Sequence, residues 1–421
     1  MGILGGGTVG AALVGLLAER RADIAARCGV DLVPVAVAVR SPERPRPGVP
    51  AGLLTGDAAA VVAHPEVDVV VELIGGLSPA RELLLAALAA GKPVITANKE
   101  VVAACGAELF AAARAAGVDL LFEAAVGGAI PLVRALRESL AGESVRRIMG
   151  IVNGTTNYIL SRMTTGGSSY HDALAEAQAL GYAEADPRAD VEGHDAAAKA
   201  AIMAAIAFGA EVTAADVHCE GISTLSLNDI AFAGRLGHVI KLLAIAERID
   251  DGAVAVRVHP AMVPEDHPLA AVRDSFNAVF VEGDAAGELM LYGRGAGGRP
   301  TASAVLGDLI DAAVNLRAGT AGGPPPTAPT RIHPIDELRT AYYLALEVID
   351  RPGVLAAVAG VFGRHGVSIR SMTQEGLGAQ ARIIFITHVA CESDMRATLD
   401  DLRHLEAVRQ VGSVLRVIAD E

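Results

Sequence analysis

Residues 1–4, Met-Gly-Ile-Leu, run straight into Gly5-x-Gly7-x-x-Gly10 and then into a helical stretch reaching Arg20. A second apolar run, residues 33–39, follows at the spacing of a βαβ unit. No other feature limits the fold so tightly. A strand feeding a right-handed crossover must return beside itself in a parallel sheet. Glycines at these three positions permit a tight turn, close approach of a pyrophosphate to the helix N-terminus, and close helix–strand packing. The chain is therefore expected to be α/β and to open with a Rossmann-type nucleotide-binding domain.

The end of the second strand bears on the cofactor. NAD binders usually carry an acidic residue there for the ribose 2′-hydroxyl, but this chain has Arg40, with Arg44 and Arg46 close behind. An arginine suits a 2′-phosphate, which favours NADP(H) over NAD(H); the competing reading is a solvated strand end. The parallel pattern continues through residues 67–71, a helix over 79–90 and a strand at 93–96. Asn98-Lys99-Glu100 then stands at the C-terminal edge, where open α/β sheets bind ligands. A helix over 101–116 leads to residues 120–123 and the glycine-rich turn 124–131. That turn would present backbone carbonyls beside the Glu123 carboxylate, an oxygen set suited to a small cation, although a tight turn explains its glycines equally well.

Residues 181–199 carry the chemistry. Glu184, Asp186, Asp190, Glu192 and Asp195 crowd one loop, and the chain then enters a strongly apolar helix with a single lysine, Lys199. Asp195 and Lys199, four residues apart, share a helical face. Such pairs are ordinarily solvated and worth little, but a helix apolar almost all round is expected to be buried. Only Lys92, Lys99, Lys199 and Lys241 are lysine among 35 basic residues. A chain this biased toward arginine keeps lysine where arginine fails, and proton transfer is one such place.

From about residue 145 the pattern changes to α+β, with strands at 148–153, 253–259 and 278–282, and a glycine-rich segment, 292–301, opening a helix over 302–316. Residues 318–336 read as a linker by composition. The last 80 or so residues read βαββαβ, a ferredoxin-like order. A net charge of −14 argues against nucleic-acid or anionic-membrane partners. No run is long and uninterrupted enough for a membrane span. Four scattered cysteines without a C-x-x-C pair point to a reducing, cytoplasmic setting, and the histidines show no zinc spacing.

Six segments in order, GGGTVG (5–10), TANKE (96–100), EAAVGGAIP (123–131), NGTTNYIL (153–160), GYAEADPRADVEGHDAAAK (181–199) and GAGGRPTASAV (295–305), resemble homoserine dehydrogenase of the longer type. DRPGVLAAVAGVFGRHGVSIRSM (350–372) resembles that type's C-terminal ACT domain. The resemblance implies a nucleotide-binding domain over 1–125, to which helix 302–316 returns, a catalytic and dimerisation domain over 126–300, the linker, and an ACT domain over 340–421. It implies NAD(P)-dependent interconversion of L-aspartate 4-semialdehyde and L-homoserine, on the route to threonine and methionine.

By position the resemblance also assigns roles. Lys199, Lys99 and Asp195 fall at catalytic positions, and Glu184, Asp190 and Asp195 at substrate positions. Gly5, Gly7, Thr8, Val9, Gly10, Arg40, Gly75, Lys99, Gly181 and Gly297 fall at the cofactor. Glu123, Val126, Gly128 and Ile130 fall on a site for Na+ or another monovalent cation. It further implies a homo-oligomer, a dimer or tetramer, with threonine as effector through the ACT domain, against the plainer reading that this domain only makes subunit contacts. Relatives usually have several more residues before the first glycine, so the first strand is expected to be short. Lys99 is expected to lower the pKa of Lys199 by repulsion.

Overall fold

The computed structural model describes residues 1–249, 251–322, 326–376 and 380–418. Six short parallel strands build the N-terminal sheet: β1 (Gly2–Leu4), β2 (Ala36–Ala38), β3 (Leu54–Thr55), β4 (Val70–Glu72), β5 (Val94–Thr96) and β6 (Leu120–Leu121). Their order, 3-2-1-4-5-6, is the doubly wound arrangement of dinucleotide-binding domains. β1 has only three residues, yet all three pair with both β2 and β4.

Alternation along these strands assigns the two faces. Ile3, Val37, Val71 and Ile95 pack against helices Thr8–Cys28 and Gly298–Ala318. Leu4, Ala38, Val70 and Val94 pack against helices Ala80–Ala89 and Lys99–Ala116. Burial on both sides is why the strands read as apolar runs. Helix Gly298–Ala318, far along the chain, lies beside helix Thr8–Cys28 and completes the first face.

The second sheet holds β7 (Val145–Ile151), β8 (His218–Cys219), β9 (His238–Arg248), β10 (Val254–Pro264), β11 (Phe276–Gly283) and β12 (Gly287–Arg294). β9 and β12 were not foreseen. β9 pairs with β10 over eleven positions, and its residues alternate between two cores, Leu242 and Ala244 on one side, Leu243 and Ile245 on the other. With both sides apolar it shows no alternation in sequence.

The C-terminal residues form β13 (Arg339–Ile349), helix Val354–Arg364, β14 (Ile369–Gly376), β15 (Gln380–Thr387), β16 (Ala390–Cys391), helix Glu392–Arg403 and β17 (Val408–Val417). The order β17-β13-β15-β14 is ferredoxin-like. The sheet is not its own, however. β17 pairs in parallel with β10, Ala261 opposite Arg416 and Met262 opposite Val417, so one sheet runs from β12 to β14 across both units. On β13, Tyr342, Leu344, Leu346 and Val348 face the unit's own helices, whereas Ala341, Tyr343 and Ala345 join the core of the preceding domain.

The expected linker, 318–336, differs in the same direction. Residues 323–325 lie outside the described residues, but the stretch after them is pinned rather than free. Ala328 N donates to Gly209 O and Ala328 O accepts from Glu211 N, while Val254 N donates to Arg331 O and His333 N to Val254 O. Proline and glycine content suggested a tether because composition cannot register backbone pairing to a distant strand.

Candidate active site

The glycine loop divides its labour. Gly5 has φ 111°, and a Cβ there would lie 2.5 Å from Leu73 O; one at Gly10 would lie 2.1 Å from Gly5 O. Around Gly7 nothing lies within 4 Å. The outer glycines are demanded by the turn itself, and the middle one leaves the helix N-terminus open to an anion. Thr8 and Val9 begin the helix. Arg40 is exposed just past β2. Gly297, at φ 121°, sits in a loop threaded between two neighbours: a Cβ on Gly298 would be 3.0 Å from Thr8 Cγ2, and one on Gly128 would be 2.3 Å from Gly295 O.

A buried carboxylate that the sequence reading passed over organises the next loops. Glu72, fully buried at the end of β4, accepts from Ile74 N (2.7 Å) and Gly75 N (3.1 Å) on Oε1 and from Thr96 Oγ1 (2.5 Å) on Oε2. Asn98 caps helix Lys99–Ala116 through Val101 N and donates to Gly76 O at 2.7 Å. The Gly75 turn and the start of the Lys99 helix are thus held together at one sheet edge. A lone carboxylate inside the apolar run 69–74 was the available signal.

Lys199 and Lys99 converge on Asp195. Gly193, left-handed at φ 84°, starts helix His194–Phe208. One turn in, Lys199 Nζ lies 2.7 Å from Asp195 Oδ2 and donates to Val152 O at 2.7 Å, while Lys99 Nζ lies 2.9 Å from Asp195 Oδ1. Asn153 Nδ2 donates to both Asp195 Oδ2 (2.8 Å) and Asp190 Oδ1 (2.7 Å). The Asp195 side chain is 10% exposed, which rules out the solvated pair. Burial alone would raise its pKa, but the two ammonium groups and the Asn153 amide outweigh that and hold it far below the carboxylate range. For Lys99, burial pulls down and Asp195 pulls up, with a net rise. The two lysines do not repel each other directly, because a carboxylate stands between them.

Glu184 and Gly181 lie exposed on the loop before this helix. Thr155 Oγ1 donates to Tyr182 O at 2.6 Å, tying that loop to the helix after Asn153. Scarcity of lysine proved a mixed guide. Lys92 donates to Val62 O and His64 O, a structural role. Lys241 is buried against Asn157 Oδ1 and Val272 O; burial, then Arg273, brings it down to about 8.

Glu123 is buried and caps the next helical turn, accepting from Val133 N and Arg134 N at 2.8 Å each. Its own N–H donates to Asp308 Oδ2 at 2.8 Å. Burial pushes both carboxyls up, Asp308 to about 7. Val126 and Ile130 are buried, and Gly127 and Gly128 between them are both left-handed. Among the described residues no group of three or more His, Cys, Asp or Glu could hold a metal. Any ion bound at this turn would rest chiefly on backbone oxygens, the hard donors that suit a monovalent cation. No described helix is long and apolar enough to cross a membrane.

A doubly wound sheet whose first glycine turn leaves the space at Gly7 open, and a buried carboxylate bridging two lysines, define a nicotinamide-dependent oxidoreductase. Comparison with known proteins narrows the class. Residues 131–310 match homoserine dehydrogenase, residues 5–123 match the homoserine dehydrogenase NAD binding domain, and residues 342–407 match the ACT domain. Homoserine dehydrogenase of Corynebacterium glutamicum is 52% identical over 99% of this chain and 95% of its own, and that of Mycobacterium tuberculosis is 51% identical over 99% and 96%. The crystal structure of the Thiobacillus denitrificans enzyme superposes with a TM-score of 0.93 at 44% identity, covering 99% of this chain and 97% of that one. A hyperthermophilic archaeal homoserine dehydrogenase solved with NADPH covers 74% of this chain and 96% of its own at 29% identity, TM-score 0.63. The chain belongs to the homoserine dehydrogenase family, and it interconverts L-aspartate 4-semialdehyde and L-homoserine with a nicotinamide cofactor.

Proposed function

We propose that Lys199 is the proton donor and acceptor at the substrate oxygen. The observation that carries this is its hydrogen bonding: an ammonium has three N–H donors, and two of them are spent on Asp195 and Val152 O. The third is left for the reacting oxygen of the substrate. The bound nicotinamide cofactor supplies the hydride for aldehyde reduction and accepts it in the reverse direction. In reduction Lys199 stabilises the charge developing on the aldehyde oxygen and then passes it a proton, leaving a neutral amine that solvent reprotonates. Asp195 holds both lysines in register between turnovers. Asp190 and Glu184 hold the substrate ammonium, and Lys99 meets cofactor and substrate.

The finer assignments follow from the same residues. NADP(H) is preferred, supported by exposed Arg40 and by the NADPH bound to the archaeal relative. Glycine positions 5, 7, 10, 75, 181 and 297, with Thr8 and Val9, line the cofactor. Glu123 with the oxygens of Val126, Gly128 and Ile130 takes Na+ or a similar cation, whose charge would offset the buried Glu123 and Asp308. Threonine acts through the ACT unit. Oligomerisation uses the edge strand β12, where Leu289, Met290 and Tyr292 are exposed. The four cysteines are free thiols, in keeping with the cytoplasm.

The test is homoserine-dependent reduction of NADP, with NAD in parallel, with and without Na+ and threonine. Faster turnover with NADP and slowing by threonine support the assignments. Equal use of both cofactors removes the role given to Arg40, and indifference to threonine removes the effector.

A further inference from the structure

Glu72 ends β4 in register with Leu4 of β1 and Thr96 of β5, at the carboxyl edge of the sheet where the strand order reverses. Its partners among the described residues are two backbone N–H groups and one hydroxyl, not a basic side chain. An ionisable group so enclosed is costly to bury, and an apolar residue like its neighbours Val70 and Val71 would carry no such cost.

The two carboxylate oxygens serve different loops. Oε1 accepts from Ile74 N and Gly75 N and so shapes the turn after β4. That turn lies on the first glycine turn, since a Cβ on Gly5 would be 2.5 Å from Leu73 O. Gly75 and Gly76 in it are both left-handed, and a Cβ on either would meet nothing within 4 Å. Oε2 accepts from Thr96 Oγ1, which accepts in turn from Asn98 N at 3.0 Å. Asn98 caps the helix that begins at Lys99 and donates to Gly76 O, closing a ring of hydrogen bonds. A carboxylate only accepts, so it can serve both arms; a glutamine has one accepting oxygen and serves one.

We propose that Glu72 is a positioning residue that couples the turn at Gly75 to the placement of Lys99 beside Asp195. This deepens, and rests on, the reading that Gly75 lines the cofactor and Lys99 meets cofactor and substrate. Lys99 reaches Asp195 from a separate helix at 2.9 Å, so a small tilt of its first helical turn takes the ammonium out of place. Cofactor settling on the Gly75 turn bears on the same carboxylate that holds that helix start.

The test separates the two arms in the full chain. Thr96→Val cuts only the Oε2 arm: kcat for homoserine oxidation is expected to fall roughly tenfold, while the NADPH dissociation constant, read by fluorescence titration, stays within about twofold. Thr96→Ser keeps the hydroxyl and should hold kcat at the wild-type value. Glu72→Ala loses both arms, so kcat falls and the dissociation constant rises together; if it does not fold, the two Thr96 variants carry the test. A cycle with Lys99→Met traces the route, because Thr96→Val should cost nothing further once Lys99 is gone. An equal loss in both backgrounds, or a kcat for Thr96→Ser as low as for Thr96→Val, overturns the coupling and leaves the role of Lys99 standing. Wild-type turnover in Lys99→Met alone would instead remove that role, and the proposal with it.

Discussion

Arg416 on β17 and Glu220 of the catalytic domain form a two-armed pair across the seam, Nη1 to Oε2 at 2.9 Å and Nη2 to Oε1 at 2.8 Å. The same guanidinium reaches Glu392 at 2.9 and 3.0 Å, and Tyr342 donates to Glu392 at 2.7 Å. The Arg416 side chain is only 6% exposed. Removing one member of a buried ionic network leaves its partners stranded, at a cost of about 3 kcal/mol or more. Arg416→Met is expected to lower the urea midpoint accordingly. An unchanged midpoint would mean that strand pairing alone holds the seam.

Glu220 gives the pH dependence of that seam. Burial would push its carboxyl up, but hydrogen bonds from His218 and Arg416 hold it far below its ordinary 4.5. A carboxyl depressed by folding contributes stability that is complete above the unfolded value and lost as pH falls below it. The thermal midpoint of the native chain should therefore fall between about pH 5 and about pH 3, and Glu220→Gln should flatten part of that fall. Parallel curves for the two proteins would contradict the assignment.

Lys199→Arg keeps a charge at the site but not a transferable proton. Turnover is expected to drop by about 10²-fold or more, the usual worth of general acid–base catalysis, with circular dichroism unchanged. Near-normal turnover would take Lys199 out of the proton path.

Asp195→Asn leaves the two lysines facing each other across a neutral amide. Because Asp195 raises the Lys99 pKa, its loss should move deprotonation of Lys99 to lower pH. The basic limb of the kcat/KM profile then shifts to lower pH along with a reduced plateau. A reduced plateau with an unmoved limb would indicate that Asp195 acts only by position.

Gly7 and Gly10 should respond differently to alanine. At Gly10 the new Cβ meets the Gly5 carbonyl, so the ligand-free protein loses stability; at Gly7 the space is open. Gly7→Ala should keep the ligand-free thermal midpoint while weakening cofactor binding by about tenfold, since the methyl occupies the pyrophosphate's approach. Equal loss of stability in both variants would contradict this division.

Local chemistry was well marked in the sequence. Glycines forced by a turn, and a lysine one helical turn from an aspartate in an apolar helix, are short-range signals, and the structure brings Asp195, Lys199 and Lys99 together as their types suggested. What escaped was long-range. Nothing near Glu72 announces that its partners are Thr96 and Gly75, β9 hides because both its faces are buried, and the pinning of residues 328–333 depends on Gly209, Glu211 and Val254, all far earlier in the chain. The role of Lys241 was invisible for the same reason.

The shared sheet also bears on transplantation. Cutting the chain near residue 320, or grafting residues 340–418 onto another enzyme, would not separate a bead from its string. Each fragment would carry half a seam: on one, the bared edge of β10; on the other, the bared edge of β17 and the stripe Ala341, Tyr343, Ala345. Open edges and naked apolar stripes recruit further strands. Such fragments should self-associate rather than behave as independent modules, and a loss of response in them would say little about where an effector binds.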